Sequence, residues 1–422
     1  MKALLLIILL LSISMLALWN HTIPQVSGSP SQIVVSEGES IQAAINSAEE
    51  NSMIFVKNGT YREQLLVNKS VSMVGENTEG VILDGKGEFA YIVNIVADGV
   101  ELEGFTVRNS SSLYDSRDVH VFKAADVVLQ NCRIEDGYNG ILFTNSSNCK
   151  IFNNQIQKNI IGVKFHSNSG SNAFSGNTLV NNTYGVYVDN SSHDLIFYNS
   201  FIDNTYPYWT DDSENQWDNG YPSGGNYWSN YNGTDQYTGY YQNITGSDGL
   251  GDSPYPYAEI RLDNFPFINP IMMKPYISSS SAYYFLISSN LTIVDFNFYL
   301  EDASVNFTVK GINGTRGILR VSLPKQLMWV NLATEWIVIG DSKTLTPLVE
   351  EDAANSYLCF HFDLDQAVET VSISGHKGPT DSVGFYRLLA AFVLVGLLVA
   401  LLIGVIFYGK RQSLKQTSTK TT

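Results

Sequence analysis

A short pattern returns at intervals of 22 or 23 residues between Leu129 and Asn204, and this period determines how the chain can fold. Each copy contains short alternating apolar runs separated by Asn, Gly and Ser, a composition typical of strands and turns. Because a unit this short cannot bury its own apolar face, successive copies must stack and share one core. The apolar positions form three columns, which are Leu129, Ile151, Phe174 and Ile196; Ile134, Ile156, Leu179 and Phe201; and Ile141, Val163 and Val186.

Polar residues repeat with the same period at the turns. An Asn side chain at such a turn can hydrogen-bond the copies above and below it, and Asn also tolerates left-handed backbone. Stacked repeats of this length, built from two or three short strands, predict a right-handed parallel β-helix. An earlier copy contains Leu102, 27 residues before its counterpart Leu129, so we expect a longer loop there. The polar columns are Asn154, Asn177 and Asn199 after Cys132, and Asn159, Asn182 and Asn204 after Gly137.

The N-terminal side of the repeats predicts a short helix followed by strands. The segment SIQAAINSA, from Ser40, has apolar residues at helical spacing after a Ser suited to N-capping. An open β-helix end exposes unpaired backbone and core. We therefore predict that this helix caps the N-terminal end of the β-helix.

The run IQAAINSA…MIFVKNGTYREQLLVNKSVSMVGEN…VILDG resembles the start of the pectin-lyase-like β-helix proteins. More narrowly, it is similar to the NosD-type group, also described as the carbohydrate-binding and sugar-hydrolysis (CASH) domain. NQWDNGYPSGGNYWSNY, from Asn215, and GSDGLGDSPYPY, from Gly246, resemble the tail of these proteins. The resemblance covers residues 32–270 and implies the β-helix fold. It implies no single activity, because the family includes lyases, hydrolases, metal-delivery proteins and surface proteins without activity.

The pattern changes in residues 275–377, where the Asn columns stop. Alternating apolar runs such as LTIVDFNFYL and YLCFHFDL follow one another at short intervals. Six or seven such strands predict an immunoglobulin-like β-sandwich that serves as a stalk. The predicted fold is thus all-β, with a capped right-handed parallel β-helix, a β-sandwich and a C-terminal transmembrane helix.

Both ends of the chain carry membrane-targeting patterns. A basic start and a long apolar run predict a signal peptide within residues 1–27. Residues 388–408 contain no charge and are long enough to span a bilayer as a helix. Residues 409–422 are basic and are expected in the cytoplasm. We therefore predict a single-pass protein of the cell membrane whose large N-terminal part lies outside, where its N-x-S/T sequons are compatible with glycosylation.

Composition excludes some classes of partner. The net charge of −16, with only 25 Lys and Arg residues, argues against binding to nucleic acid. Three cysteines are an odd and sparse set, and Cys132 and Cys149 are not one repeat apart. We expect these two residues and Cys359 to be buried small hydrophobes rather than a disulfide framework.

The outward residues of one sheet form the first candidate site. If the column that contains Ile141 points into the core, the residues after it point outward into a groove. That groove holds the sugar in the members of the resembling family that bind one, and an acid–base pair there is chemically feasible. However, the pattern contains neither the paired carboxylates of a hydrolase nor the base and cations of a polysaccharide lyase, which favours binding over catalysis. The candidates are His120, Lys164, His166, Tyr187 and Asp189.

The second candidate site is an aromatic segment. Residues 206–241 contain eleven aromatic side chains in 36 positions, in a chain that is 12% aromatic. Aromatic faces stack on sugar rings, and interleaved Asn and Asp can hydrogen-bond hydroxyls. The alternative is that the rings plug the end of the β-helix, with Trp217 and Trp228 in the packed part. The ligand-binding candidates are Tyr208, Trp209, Tyr221, Tyr227, Tyr231, Tyr237, Tyr240 and Tyr241.

Calcium and copper are the two metals that this chain is considered to bind. Asp248 and Asp252 lie among glycines in a loop rich in the oxygen ligands that calcium prefers, although a plain Asp-Gly turn explains the same residues. Copper delivery is implied by the NosD resemblance alone. A copper site needs clustered His, Met or Cys, and the six histidines are scattered along the sequence, so we do not expect copper.

The sequence leaves several functions open. We favour a membrane-anchored surface protein that binds polysaccharide or another surface glycan. A structural or adhesive surface protein without a ligand is the first alternative, a polysaccharide lyase or hydrolase the second, and a copper-delivery protein the last. Retention of soluble polysaccharide separates the first two functions, and release of new chain ends identifies the third.

Overall fold

A computed structural model of the chain describes residues 32–211, 214–256, 262–278 and 281–378. The predicted signal peptide, transmembrane helix and basic tail lie outside these residues. Within the described ranges no helix is long and apolar enough to span a membrane.

The first part of the chain is a right-handed parallel β-helix of about eight turns, which confirms the fold predicted from the repeats. Seven complete turns contribute one strand each to three parallel sheets, and sheets 1 and 2 each contain one further strand. The apolar columns lie in direct register, as in the pairs Ile134–Ile156 and Leu179–Phe201, and their side chains are buried in one core. Sheet 1 contains Gln32–Val35, Ser52–Val56, Val71–Gly75, Glu101–Glu103, Val128–Gln130, Lys150–Phe152, Ala173–Ser175 and Leu195–Phe197; sheet 2 contains Gly59–Tyr61, Val81–Asp84, Thr106–Arg108, Arg133–Glu135, Gln155–Gln157, Thr178–Val180, Ser200–Ile202 and Tyr227–Trp228; sheet 3 contains Leu65–Val67, Tyr91–Ile95, Arg117–Phe122, Asn139–Thr144, Ile161–His166, Tyr184–Asp189 and Tyr206–Thr210.

A single α-helix, Ile41–Ser47, is described between the first two strands of sheet 1. The Ser40 hydroxyl accepts a hydrogen bond from the backbone N–H of Ala43 at 3.1 Å, so the predicted N-cap is confirmed. Ile41 and Ile45 are buried in the core that the helix shares with the β-helix. Its role as the cap of the β-helix end stays a prediction.

The two predicted Asn columns form continuous hydrogen-bonded ladders at the turns, and the structure adds a third ladder that was not predicted. The Asn177 side chain shows the arrangement. Its Oδ1 accepts the backbone N–H of Asn154 at 3.0 Å, and its Nδ2 donates to the carbonyl of Ile151 at 2.9 Å and to Oδ1 of Asn199 at 3.0 Å. Each Asn side chain thus pairs with buried backbone N–H and C=O groups at the turns, which the hydrogen bonds between strands leave unpaired. The three ladders are Cys132, Asn154, Asn177, Asn199 and Asn226; Gly137, Asn159, Asn182 and Asn204; and Cys149, Asn172, Asp194 and Asn215.

The cysteines are free and buried, which confirms that they act as small hydrophobes. Cys132 and Cys149 each begin a ladder, because the backbone N–H of each donates to the first Asn of its column. Burial raises the pKa of Cys132 to about 12 and that of Cys149 to about 11. Both thiols therefore stay protonated and unreactive at neutral pH.

One ladder contains an acid, and this makes the stability of the fold dependent on pH. Burial raises the pKa of the Asp194 carboxyl from 3.8 to about 6. The folded state therefore binds a proton more tightly than the unfolded state, and this stabilisation is lost as the pH rises from about 4 through 6. Asp194→Asn keeps the ladder without the charge. We expect it to raise the free energy of unfolding by about 2–3 kcal/mol at pH 8 and by much less at pH 4. Urea unfolding at both pH values measures the difference, and an equal effect at both would contradict the titration of Asp194.

The second part of the chain consists of two five-stranded antiparallel sheets that enclose a separate apolar core. Its first strand begins at Ile271. Alternation along the strands buries one side of each sheet, as the sequence indicates. The immunoglobulin-like assignment of this unit stays a prediction. Sheet 4 contains Ile271–Ile277, Ala282–Ser289, Arg316–Pro324, Leu348–Glu351 and Asn355–Asp363; sheet 5 contains Thr292–Tyr299, Ser304–Lys310, Ile337–Gly340, Lys343–Leu345 and Val368–Ser374; two short pairs are Tyr237–Thr238 with Ile244–Thr245 and Met328–Trp329 with His376–Lys377, and a 3-10 helix spans Ala333–Glu335.

A buried arginine joins the two parts. Arg320 lies on sheet 4, and its guanidinium donates to the backbone carbonyls of Asp248 and Pro222 in the loops that follow the last turn of the β-helix. The same group lies 5.2 Å from the ring centre of Tyr357 and 5.9 Å from that of Phe267. Leu319 and Val321 on either side of it point into the second core, so Arg320 points to the other side of sheet 4 and bonds and packs against the end of the β-helix.

Candidate functional site

The candidate site lies on the outward side of sheet 3. The side chains of Ile141, Val163 and Val186 are buried in the β-helix core, so the residue after each of them points outward. Parallel pairing aligns these outward residues from turn to turn, as the repeat predicts. We call them the sheet-3 face. One of its columns is His120, Leu142, Lys164, Tyr187 and Trp209, and another is Phe122, Thr144, His166 and Asp189.

Four aromatic rings cover the C-terminal end of the sheet-3 face. Tyr187 and Trp209 stack with ring centres 4.2 Å apart and planes 12° apart. Tyr184 and Tyr206 stack beside them at 4.9 Å and 22°. The two stacked pairs meet edge to face at Tyr184 and Tyr187. The centres of these two rings are 5.6 Å apart, and their planes are at 83° to each other. These four residues form the aromatic platform, and its rings are all partly or well exposed.

Charged groups lie beside the aromatic platform. The ammonium of Lys164 is 5.3 Å from the ring centre of Tyr187, a cation–π distance. His166 Nδ1 lies 2.8 Å from Asp189 Oδ2, within ion-pair distance, although the angle is not that of a hydrogen bond. The structure thus brings together Lys164, His166, Tyr187 and Asp189 as predicted, and it adds Trp209 from the aromatic segment to the same face.

His120, by contrast, is separated from solvent. Burial is the main cause that lowers the pKa of His120 to about 4, and Arg117 adds to it. The imidazole is therefore neutral at pH 7, and its Nε2 lies 3.2 Å from the Thr144 hydroxyl. His120 is only 7% exposed and brings no positive charge to the face.

The aromatic segment divides between packing and exposure. Tyr208 is next to Trp209 but points inward, where its ring packs edge-on against Trp217 at 5.7 Å and Trp228 at 5.9 Å. Trp228 in turn stacks on Tyr255 at 4.4 Å. The rings at this end therefore plug the core, which was the alternative interpretation for this segment, and Tyr208 contributes to the plug.

Other candidates of the segment are held in the end loops. The Tyr221 hydroxyl lies 3.0 Å from the Thr238 hydroxyl, and the Tyr231 hydroxyl donates to the carbonyl of Ser253 at 2.6 Å. Tyr227 packs half-buried against a small apolar cluster. None of the three belongs to the aromatic platform. The last three candidates, Tyr237, Tyr240 and Tyr241, are exposed. They lie in the hairpin formed by Tyr237–Thr238 and Ile244–Thr245.

Sequence reasoning did not single out Tyr184 as a site residue. It precedes Gly185 in the third copy of the repeat, at the position of Asn139 and Ile161 in the copies before it. The exchange to Tyr, followed by Tyr206 one turn later, was the available signal. Tyr184 and Tyr206 extend the platform beyond the predicted pair of columns.

A family model described as the periplasmic copper-binding protein NosD matches residues 21–233, half of the chain. The chain belongs to the NosD family. No curated protein matches it significantly.

Solved structures with a similar fold include three enzymes that act on polysaccharides. An alginate lyase from Paenibacillus sp. str. FPU-7 is 15% identical, and the match covers 41% of this chain and 75% of the lyase with a TM-score of 0.33. For the pectate lyase Pel9A the values are 16% identity, 44% and 58% coverage and a TM-score of 0.34. The pectin methylesterase PemA from Erwinia chrysanthemi is 14% identical, and the match covers 41% of this chain and 71% of the esterase with a TM-score of 0.27.

The described residues of this NosD-family protein do not fit a copper site. Copper requires a cluster of imidazole, thiolate or thioether ligands. Four histidines of the described ranges instead have separate partners, which are Thr144 for His120, Asp189 for His166, Ser247 for His361 and Glu335 for His376. Across the described ranges, no group of three or more His, Cys, Asp and Glu side chains is placed to hold a metal ion.

The two aspartates proposed for calcium each bond to backbone and hydroxyl groups. Asp248 Oδ1 accepts the N–H of Leu250 at 2.9 Å, and its Oδ2 accepts the hydroxyl of Thr238 at 3.1 Å. The Asp252 carboxylate accepts the N–H groups of Gln236 and Tyr237. The calcium site stays a prediction, and a bound ion would have to replace several of these hydrogen bonds.

Proposed function

We propose that this protein binds a carbohydrate chain on the sheet-3 face. The observation that carries the proposal is the aromatic platform, in which Trp209 stacks on Tyr187 through one face and is 37% exposed at the last turn of the sheet-3 face. Sugar rings have apolar faces that stack on such rings, and their hydroxyls need nearby donors and acceptors. Asp189, on the same strand as Tyr187, and Lys164 and His166, on the strand one turn earlier, supply these groups. The fold similarity adds no evidence on the ligand.

The proposal places the protein on the outside of the cell, anchored by residues 388–408. It rests on the sequence, namely the apolar run of 1–27 as a signal peptide and the basic residues 409–422 as a cytoplasmic tail. Protease added to intact cells tests this topology. We expect it to digest the β-helix and to leave a small membrane-bound fragment, whereas full protection of the β-helix would contradict an outward location.

Trp209→Ala is expected to weaken binding to the retained polysaccharide about tenfold, because a lost aromatic stack is worth about 0.5–1.5 kcal/mol beyond its contact area. Tyr187→Ala should have a smaller effect, because Trp209 and Lys164 cover the ring of Tyr187, which therefore supports Trp209 rather than offering a free face. Affinity electrophoresis through gels that contain alginate, polygalacturonate, xylan or β-glucan measures the change. The matched control is Tyr299→Ala, an exposed ring on sheet 5. Loss of binding in Tyr240→Ala instead would move the site to the exposed hairpin, and free migration of the native protein would favour a structural role.

A further inference from the structure

Residues 329–337 form a loop beside the last two strands that the structure describes. At one end of the loop, Trp329 pairs with His376 in a short antiparallel pair of strands. At the other end, Ile337 pairs with Ser374 on sheet 5. Both ends of the loop are therefore held where the described part of the chain ends. We call residues 329–337 the exit loop.

The exposed part of the exit loop is uncharged and carries large apolar side chains. Leu332 is 64% exposed, and Trp329 and Ile337 on either side of it are 37% and 55% exposed. Residues 331–334 are all exposed, and none of them carries a charge. Single exposed apolar residues are common on protein surfaces, but a cluster of large ones marks a contact with another molecule or with a membrane.

The polar groups at the base of the exit loop bond to the protein itself. Glu335 is the one charged residue of the loop. Its carboxylate accepts the backbone N–H of Asn331 at 3.0 Å and lies 3.4 Å from Nε2 of His376. The indole N–H of Trp329 donates to the backbone carbonyl of Lys377 at 3.2 Å, while its ring stays partly exposed. An aromatic ring with a paired N–H suits the boundary between water and lipid.

The exit loop also lies close in the chain to the proposed membrane anchor. Gly378 directly follows the strand that pairs with the loop. Residues 379–387 separate it from the uncharged run of residues 388–408. Fully extended, this connection spans at most roughly 35 Å. The loop can therefore reach the membrane that residues 388–408 are proposed to cross.

We propose that the exit loop rests on the outer surface of the membrane, with Trp329, Leu332 and Ile337 in contact with lipid. This contact removes apolar side chains from water, and residues 331–334 bring no charge that would lose its hydration. The second part of the chain then lies on the bilayer instead of standing away from it as a stalk. The inference rests on the anchor in the proposed function.

The test places an environment-sensitive dye on the tip of the exit loop in the full-length protein, reconstituted into phosphatidylcholine vesicles. The native cysteines are buried, so Leu332→Cys supplies one reactive thiol. Lipid with a nitroxide on its headgroup, present in both leaflets, quenches a dye that touches the bilayer. The matched control is Leu113→Cys, since Leu113 is a 71% exposed residue of the β-helix.

We expect the dye at position 332 to be quenched at least about three times more strongly than the dye at position 113, because a side chain at the interface lies about 5–10 Å into the headgroup region. Thr334→Cys, also on the exposed part of the loop, should give the same result and provides an independent reading.

The outcomes separate the exit loop from the anchor. Equal, weak quenching at positions 332 and 113, in protein that a carbonate wash leaves in the vesicles, would overturn the lipid contact and leave the anchor in place. Energy transfer between labelled copies without quenching by lipid would overturn it in favour of a contact between copies. Release of the protein by the wash would overturn both proposals.

Discussion

Arg320→Met is expected to lower the free energy of unfolding by about 3–5 kcal/mol. The guanidinium donates to the buried backbone carbonyl of Asp248 and to the partly buried carbonyl of Pro222, and hydrogen bonds from a charged donor are worth about 1.5–3 kcal/mol each. Met fills part of the space between Tyr357 and Phe267 but leaves both carbonyls unpaired. Urea unfolding followed by tryptophan fluorescence measures the loss.

The matched control is Arg316→Met, an exposed position on the same strand of sheet 4. It should change stability by no more than about 0.5 kcal/mol. We also expect the Arg320 variant to unfold in two separate calorimetric transitions, since the two cores are distinct and lose a shared contact. A loss of less than about 1 kcal/mol with a single transition would contradict the role assigned to Arg320.

Gly137→Asn is expected to destabilise the protein by about 2–3 kcal/mol, even though Asn continues the ladder at the three later turns. The reason is Asp118. A Cβ at Gly137 would lie 2.4 Å from Asp118 Oδ2, because this buried carboxyl fills the space that a larger side chain at this position would take. Asp118 Oδ1 also accepts the N–H of Ser110 at 2.9 Å, as Asn159 does for Gly137.

The double variant Gly137→Asn, Asp118→Gly should recover most of this loss. The introduced amide side chain could then accept the N–H of Ser110 itself, and the glycine at the second position would match Gly140 and Gly162 of the later turns. Burial raises the pKa of Asp118 well above its usual range, so the double variant also removes a buried acid. We expect a coupling energy of at least about 2 kcal/mol in a double-mutant cycle. Additive losses would contradict the substitution of Asp118 for a ladder residue. Gly87→Asn, at an open position with φ of 75°, is the control and should be nearly neutral.

The repeat period was sufficient to predict the β-helix and the register of the sheet-3 face. Every turn buries the apolar residue of the same column, so the outward position of Lys164 follows from that of Leu142 by one period. Asp118 could not be predicted this way. Asp118 lies 19 positions earlier in the chain, and its side chain fills the space that the missing side chain of Gly137 leaves. Only the side-chain packing shows that the two residues are in contact.

Composition was a weaker guide to the candidate site. It counted the rings of the aromatic segment but not their directions, and adjacent strand residues face opposite ways. Tyr208 therefore packs in the plug of the β-helix core, whereas Trp209, the next residue, belongs to the aromatic platform. The 27-residue interval likewise predicts the extra length of the loop at residues 109–116 but not its direction.

A crystal structure of the protein with an oligosaccharide from the polysaccharide that it retains tests the central claim most directly. We expect a sugar ring stacked on Trp209, with the sugar chain within reach of Lys164, His166 and Asp189. Sugar bound at the hairpin of Tyr240 and Tyr241, or on the β-sandwich, with the aromatic platform free, would contradict it.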